Sequence, residues 1–121
     1  MPSENSKLRR AGPHAVITMP AEIDMTNVGQ IREALLAAAS GQTSLIIDMN
    51  ATTFCDSAGV RAIITASQQA AMAGTQVRLV ATAVLRIFTI TGADQLIPTY
   101  PTLEAALAEA PAAQGSTRDP R

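Results

Sequence analysis

Residues able to do chemistry are few in this chain, and one string holds most of them. It runs Asn50-Ala51-Thr52-Thr53-Phe54-Cys55-Asp56-Ser57-Ala58-Gly59-Val60-Arg61. It follows the apolar run Leu45-Ile46-Ile47-Asp48-Met49 and opens a segment with helical spacing. Asp56 and Ser57 are both favoured at helix N-caps, and Gly59 permits close approach of another backbone. One use of the pair is therefore structural, as a cap. A second use is chemical. A helix N-terminus offers unpaired N–H groups and a partial positive charge, so it tolerates a phosphate. Phosphorylation of Ser57 would add about −1.5 to −2 charges at neutral pH. Arg61, one turn later, can offset part of that charge.

Other chemistries lack their parts. His14 and Cys55 are single, and no CxxC, HxxxH or Asp-x-Asp-Gly pattern occurs, so no metal is expected. His14 reads as a strand-edge residue and Cys55 as a small buried hydrophobe. A carboxylate beside Cys55 should raise its pKa, against a reactive thiolate. Neither GxGxxG nor GxxxxGK[ST] is present, and Lys7 is the only lysine, so no phosphate loop, Schiff base or cofactor is expected. A hydrolase elbow needs G-x-S-x-G, yet Cys55 fills the first small position around Ser57 and the only histidine comes early in the chain. No catalytic residue is expected, and a serine hydrolase is the weakest alternative.

The elements that must position this string follow from periodicity. Residues 15–19 are β-branched and closed by Pro20, which predicts a strand. Residues 26–39 predict a helix with Val28, Ile31, Leu35 and Ala38 inward, Thr26 as N-cap and Gly41 as stop. Residues 45–49 suit a strand covered on both sides. Residues 57–73 predict the second helix, with Val60, Ile63, Ile64, Ser67 and Ala71 on one face. A strand at 76–81, a short helix at 84–91, a strand at 96–100 and a helix at 102–110 complete the alternation. That order predicts α/β with parallel neighbours and right-handed crossovers. Residues 1–12 read as a flexible lead-in with an edge strand near 7–10, and 111–121 as a loose tail.

Composition narrows the field further. The 121 residues suit one domain, and 47% hydrophobic with 16% charged residues suits a folded one. Nine Lys+Arg against ten Asp+Glu, scattered, do not make a nucleic-acid footprint. Aromatics at 2% argue against base-stacking platforms. Apolar runs stop short of the ~20 residues a membrane span needs. The polar N-terminus has no apolar signal core and one cysteine forms no internal disulfide, so a cytoplasmic protein is expected.

Three blocks of the chain resemble the STAS domain family, specifically its stand-alone bacterial anti-sigma factor antagonists. The first, Ile17-Thr18-Met19-Pro20-Ala21-Glu22-Ile23-Asp24, is similar to the family's strand ending in Gly-Glu-Leu/Ile-Asp. The second joins Leu45-Ile46-Ile47-Asp48-Met49 to Phe54-Cys55-Asp56-Ser57-Ala58-Gly59-Val60, like the family's Phe-x-Asp-Ser-Ser/Thr-Gly-Leu. The third runs from Val77 through Thr91-Gly92 to Tyr100-Pro101-Thr102-Leu103-Glu104-Ala105-Ala106-Leu107, resembling the terminal helix signature. Ala21 stands where Gly is usual, and Ala58 where a second Ser or Thr is usual.

The resemblance implies a STAS fold over 13–110: a mixed four- to five-stranded sheet with about four helices, mainly on one face. It implies that the protein binds an anti-sigma factor of the serine-kinase type and so releases a sigma factor. It implies Ser57 as the phosphoacceptor that switches binding off, and a serine phosphatase that restores it. Asp24, Asp56, Ser57, Ala58, Gly59, Val60 and Arg61 are then the expected partner-binding residues. Within the same family, a subunit of a lipid-transport ABC complex or a stress-signalling scaffold is the alternative. Such transport subunits often carry Thr at the acceptor position, which disfavours them here.

Overall fold

The computed structural model describes residues 7–108. A hairpin opens it: β1 (Lys7–Ala11) and β2 (His14–Thr18) pair antiparallel, with Ala11 opposite His14. Gly12 takes φ 62° at the first central position of this two-residue turn, a place that favours glycine, and Pro13 fills the second. The two-residue strand β3 (Glu22–Ile23) and α1 (Val28–Ala39) follow. Then come β4 (Ser44–Asp48), the two-residue strand β5 (Phe54–Cys55) and α2 (Ser57–Met72). The chain continues through β6 (Gln76–Val80), α3 (Leu85–Ile90), a 3-10 turn (Ala93–Gln95), β7 (Thr99–Tyr100) and α4 (Leu103–Ala108). The main sheet has the order β1-β2-β4-β6-β7, all parallel except β1. A separate ribbon pairs β3 with β5 in parallel. This is the mixed α/β architecture the alternation predicted.

Each central strand is buried on both faces, which explains its near-continuous apolar run. On one face Ala15, Ile17, Leu45, Ile47 and Leu79 pack with Ile31 and Leu35 of α1, Ile63 of α2 and Phe88 of α3. Ala38, Ala39, Ala66 and Ala70 are buried in the same cluster, and such small residues let α1 and α2 lie close together. On the other face Val16, Ile46 and Val80 meet Ala106 of α4. That face is partly polar. His14 Nδ1 and Ser44 Oγ share a buried 2.6 Å hydrogen bond. Buried Arg78 donates from Nη1 to the Ala106 carbonyl near the end of α4 (2.8 Å).

The edge strand expected near 7–10 is present as β1, which runs to Ala11 and pairs with β2 at the edge of the main sheet. Among these elements the structure departs from the sequence reading in three places. Helix α1 begins at Val28, because Thr26 spends its hydroxyl on the Asp24 carboxylate instead of capping. The last strand shrinks to Thr99–Tyr100: Gly92 ends α3 in the left-handed region and the 3-10 turn consumes the residues after it. Ala71 is exposed, and Ala66 and Ala70 take the inner positions of α2. Residues 1–6, the end of the closing helix at 109–110 and the expected tail at 111–121 lie outside the described residues.

Two stability predictions follow from the buried polar groups. Among the described residues, Ser67 Oγ is buried with no hydrogen-bond partner. Ser67→Ala removes that penalty and improves helix propensity, so urea unfolding should show a gain of about 0.5–1 kcal/mol. The second concerns His14, whose imidazole is held below its ordinary pKa of 6.5, first by burial and then by Arg78 and Arg10. The unfolded chain therefore takes up the proton more readily than the native one. Stability is fully present above the unfolded pKa of about 6.5 and is lost as pH falls below it. The urea midpoint should drop between pH 7.5 and 5.5, and His14→Gln should flatten that drop.

Candidate functional site

The site is built where β3 and β5 meet the start of α2. Neither strand belongs to the main sheet, so side chains and loop amides hold the ribbon in place. Thr52, fully buried, donates from Oγ1 to the Pro20 carbonyl (2.7 Å). The Thr53 amide donates to the Ala21 carbonyl (2.8 Å), and the Asp56 amide to the Ile23 carbonyl (3.2 Å). These bonds align Glu22 with Phe54 and Ile23 with Cys55. Ile23 and Cys55 turn into the core, while Glu22 and Phe54 stay at the surface. Asp24 and Asp56 are the residues that follow the two paired strands.

Asp56 is the N-cap of α2. Its Oδ1 accepts from the Gly59 amide (2.9 Å), and its carbonyl accepts from the Val60 amide (3.0 Å). Of the two roles the string permitted, Asp56 takes the cap, and this leaves the next side chain free. Ser57 is the first helical residue and is exposed, and no described side chain hydrogen-bonds its hydroxyl. Ala58 is half-buried and Arg61 is exposed one turn on. The opening of a 16-residue helix thus displays a free hydroxyl beside unpaired amides.

Asp24 directly follows β3. Its Oδ1 accepts from the Thr26 amide (2.9 Å) and from the Thr26 hydroxyl, while the Asp24 amide donates to Asn27 Oδ1 (3.0 Å). The Thr26 hydroxyl, then the Thr26 amide, hold this carboxyl below the usual carboxylate range despite a small opposing effect of burial. Asp24 is therefore ionised at neutral pH. Asn27 Nδ2 ties the turn back to the Glu22 carbonyl (2.8 Å). A shallow recess opens here, lined by Pro20, Ala21, Glu22, Asp24, Thr26 and Asn27.

Gly59 and Val60 do not lie where the sequence reading put them. Both are buried, Val60 at 2% exposure, and neither reaches a docking surface. Gly59 is pressed against side chains: a Cβ there would stand 2.7 Å from Ile23 Cγ2 and 2.8 Å from Cys55 Sγ. It lets α2 seat on the ribbon. Cys55 is buried, and burial, then the Asp56 charge, push its thiol up to about 12, so it is a thiol that packs. The ribbon itself escaped the sequence reading, since two-residue strands carry no periodicity. The signal that could have found it is the β-branched pair Thr52-Thr53 after turn-prone Asn50 and before the apolar pair Phe54-Cys55. Also missed were Met25 and Phe54, 77% and 50% exposed on either side of the ribbon. No group of three or more His, Cys, Asp or Glu among the described residues is arranged to hold a metal.

Fold and site together define a mixed-sheet α/β domain with a capped helix start that bears an exposed serine. The chain belongs to the STAS domain family, whose model matches residues 5–106. It is similar to an anti-sigma factor antagonist from Mycobacterium paratuberculosis, at 28% identity over 88% of this chain and 92% of that one, with a TM-score of 0.74. It shares its fold with SpoIIAA in the unphosphorylated form (22% identity, 84% and 92% of the two chains, TM-score 0.67). The same holds for the Bacillus cell fate determinant SpoIIAA in the phosphorylated form (21% identity, 84% and 96%, TM-score 0.62). Comparison with curated proteins gives no match. No helix among the described residues is long and apolar enough to cross a membrane.

The seat of α2 predicts a measurable coupling. Gly59→Ala overpacks Ile23 and Cys55, and the strain should exceed the gain in helix propensity, for a net loss of about 1–2 kcal/mol in denaturant unfolding. Combining it with Cys55→Ala opens the space again, so the two changes should be non-additive by about 0.5–1 kcal/mol.

Proposed function

We propose that this protein is an anti-sigma factor antagonist. In its unphosphorylated form it binds an anti-sigma factor of the serine-kinase type and so frees a sigma factor. Phosphorylation of Ser57 switches that binding off, and a serine phosphatase restores it. The observation that carries the reading is the exposed Ser57 hydroxyl on the first turn of α2, in a chain like a known anti-sigma factor antagonist. The likeness to SpoIIAA, solved with and without phosphate, supports the same role for this fold. The protein acts by docking and catalyses nothing itself.

The geometry suits a switch that leaves the domain intact. The Asp56 cap is turned toward the Gly59 amide, so a phosphate on Ser57 need not displace it. The helix start favours the added negative charge, and Arg61 can answer part of it. In a complex the balance reverses. Asp24 is already ionised next to the loop, and Glu22 adds a second exposed carboxylate. An acidic face of this kind suits a basic partner surface. Reversing occupancy from 99:1 to 1:99 takes about 5.5 kcal/mol of differential binding. Exposed repulsion supplies little of that, whereas a dianion shut into a closed interface supplies several kcal/mol. Exclusion from the interface is thus the main effect, with repulsion secondary.

The test uses the purified serine-kinase-type anti-sigma factors of the source organism with radiolabelled ATP. Ser57→Ala should bind a kinase like the wild type and take up no label, while Ser57→Asp should bind about tenfold or more weakly. Label on Ser57→Ala equal to wild type would remove Ser57 as the acceptor. Turnover of ester or nucleotide substrates, lost in Ser57→Ala, would favour a hydrolase instead.

A further inference from the structure

We propose that Met25 and Phe54 are the apolar anchors of the docking surface around Ser57, and that they seat in a hydrophobic socket rimmed by arginine or lysine on the kinase that modifies this loop. The inference rests on the reading of Ser57 above and adds what gives the complex its affinity. Gly59 and Val60 are buried, so the helix start offers a partner little apolar surface of its own. The ribbon does offer it. Phe54 lies directly across from Glu22 and is 50% exposed; Met25 follows Asp24 and is 77% exposed. Phe54 belongs to β5, three residues before Ser57, and Met25 lies in the turn that follows β3, the strand paired with β5. Aromatic and methionine side chains are enriched at interfaces, and apolar centres with polar rims are their usual anatomy.

The rim indicates the occupant. Glu22 lies across from Phe54 in the register, Asp24 precedes Met25 and Asp56 follows β5 by one residue, and none of the three has an ion-pair partner among the described residues. Glu22 and Asp24 also line the recess beside the ribbon. An apolar pair inside a carboxylate rim fits a socket edged by cations, and repels a second copy of the same acidic face. The anchors are also preorganised. Met25 lies in the turn held by the Asp24, Thr26 and Asn27 hydrogen bonds, and Phe54 is fixed by β5 pairing. Little backbone order has to be gained on binding, which preserves affinity. Met72 makes a natural control: it is 88% exposed but ends α2, about 22 Å along the helix from Ser57.

The experiment measures titration calorimetry and Ser57 phosphorylation with each purified serine-kinase-type anti-sigma factor of the organism. It compares wild type with Met25→Ala, Phe54→Ala, the double variant and Met72→Ala. The double variant should raise Kd and the KM for phosphorylation by about 30-fold with kcat within about twofold, and Met72→Ala should change neither. Met25→Ala alone, in an exposed turn, should show part of the loss with an unchanged unfolding curve, which separates docking from folding. Raising salt should weaken wild-type binding, and Glu22→Gln with Asp24→Asn should reduce that salt dependence. Wild-type binding with an unaffected double variant would overturn the anchors and leave the Ser57 reading standing. No binding or phosphorylation of wild type by any kinase would overturn both. Self-association abolished by the double variant would assign the anchors to a second copy of this chain and overturn the proposed partner.

Discussion

The seating of the α2 start in this domain depends on the missing Cβ of Gly59. The ribbon of β3 and β5 lies outside the main sheet, and α2 must rest on it through Ile23 and Cys55. With 2.7 and 2.8 Å to those side chains, no larger residue lets the helix start sit at that depth without displacing them. The seat sets the position of the Asp56 cap, the cap turns the carboxylate toward the Gly59 amide, and that choice leaves the Ser57 hydroxyl free. The buried Thr52, bonded to the Pro20 carbonyl, supports the ribbon from below. Ser57 can therefore be exposed and still precisely held.

Much of this was legible in the sequence because it rests on long periodic elements. The 16 residues of α2 repeat an apolar face, and the β-branched runs of β2, β4 and β6 mark doubly covered strands. Asp56-Ser57 before such a helix gave its start to the residue. What escaped notice was made by pairing between distant segments. Two-residue strands have no period, so nothing local announces that Glu22 faces Phe54. Thr26 looked like a cap because capping preference is a local rule. The structure gives its hydroxyl to Asp24, two residues earlier, and the helix starts later. Val60 and Gly59 illustrate the limit most clearly. Motif position placed them at the functional loop, whereas their burial shows that they shape it from inside.

Among the described residues, electrostatics at this end are arranged by hydrogen bonds, not by ion pairs. Asp24 is kept ionised by the Thr26 hydroxyl and amide, with no cation consumed in doing so. Its charge remains available to a partner. The same economy applies at Cys55, where burial and Asp56 suppress the thiolate and remove a competing nucleophile from beside the serine. Ser57 is left with an exposed hydroxyl at the helix start that no described side chain binds, and a hydroxyl carries no charge until it is modified. On the proposed reading, phosphorylation would add about −1.5 to −2 charges at that one point.

The sheet divides these duties between its faces and its ends. One face carries the larger apolar cluster under α1, α2 and α3, which includes Ile23 and Val60, so the site's foundation and the main core are the same set of contacts. Among the described residues, the other face carries Val16, Ile46, Val80 and Ala106 as its buried apolar cluster, beside the His14–Ser44 bond and Arg78. The side chains that set the start of α2, Ile23, Cys55 and Val60, thus belong to the cluster on the face away from the described part of α4.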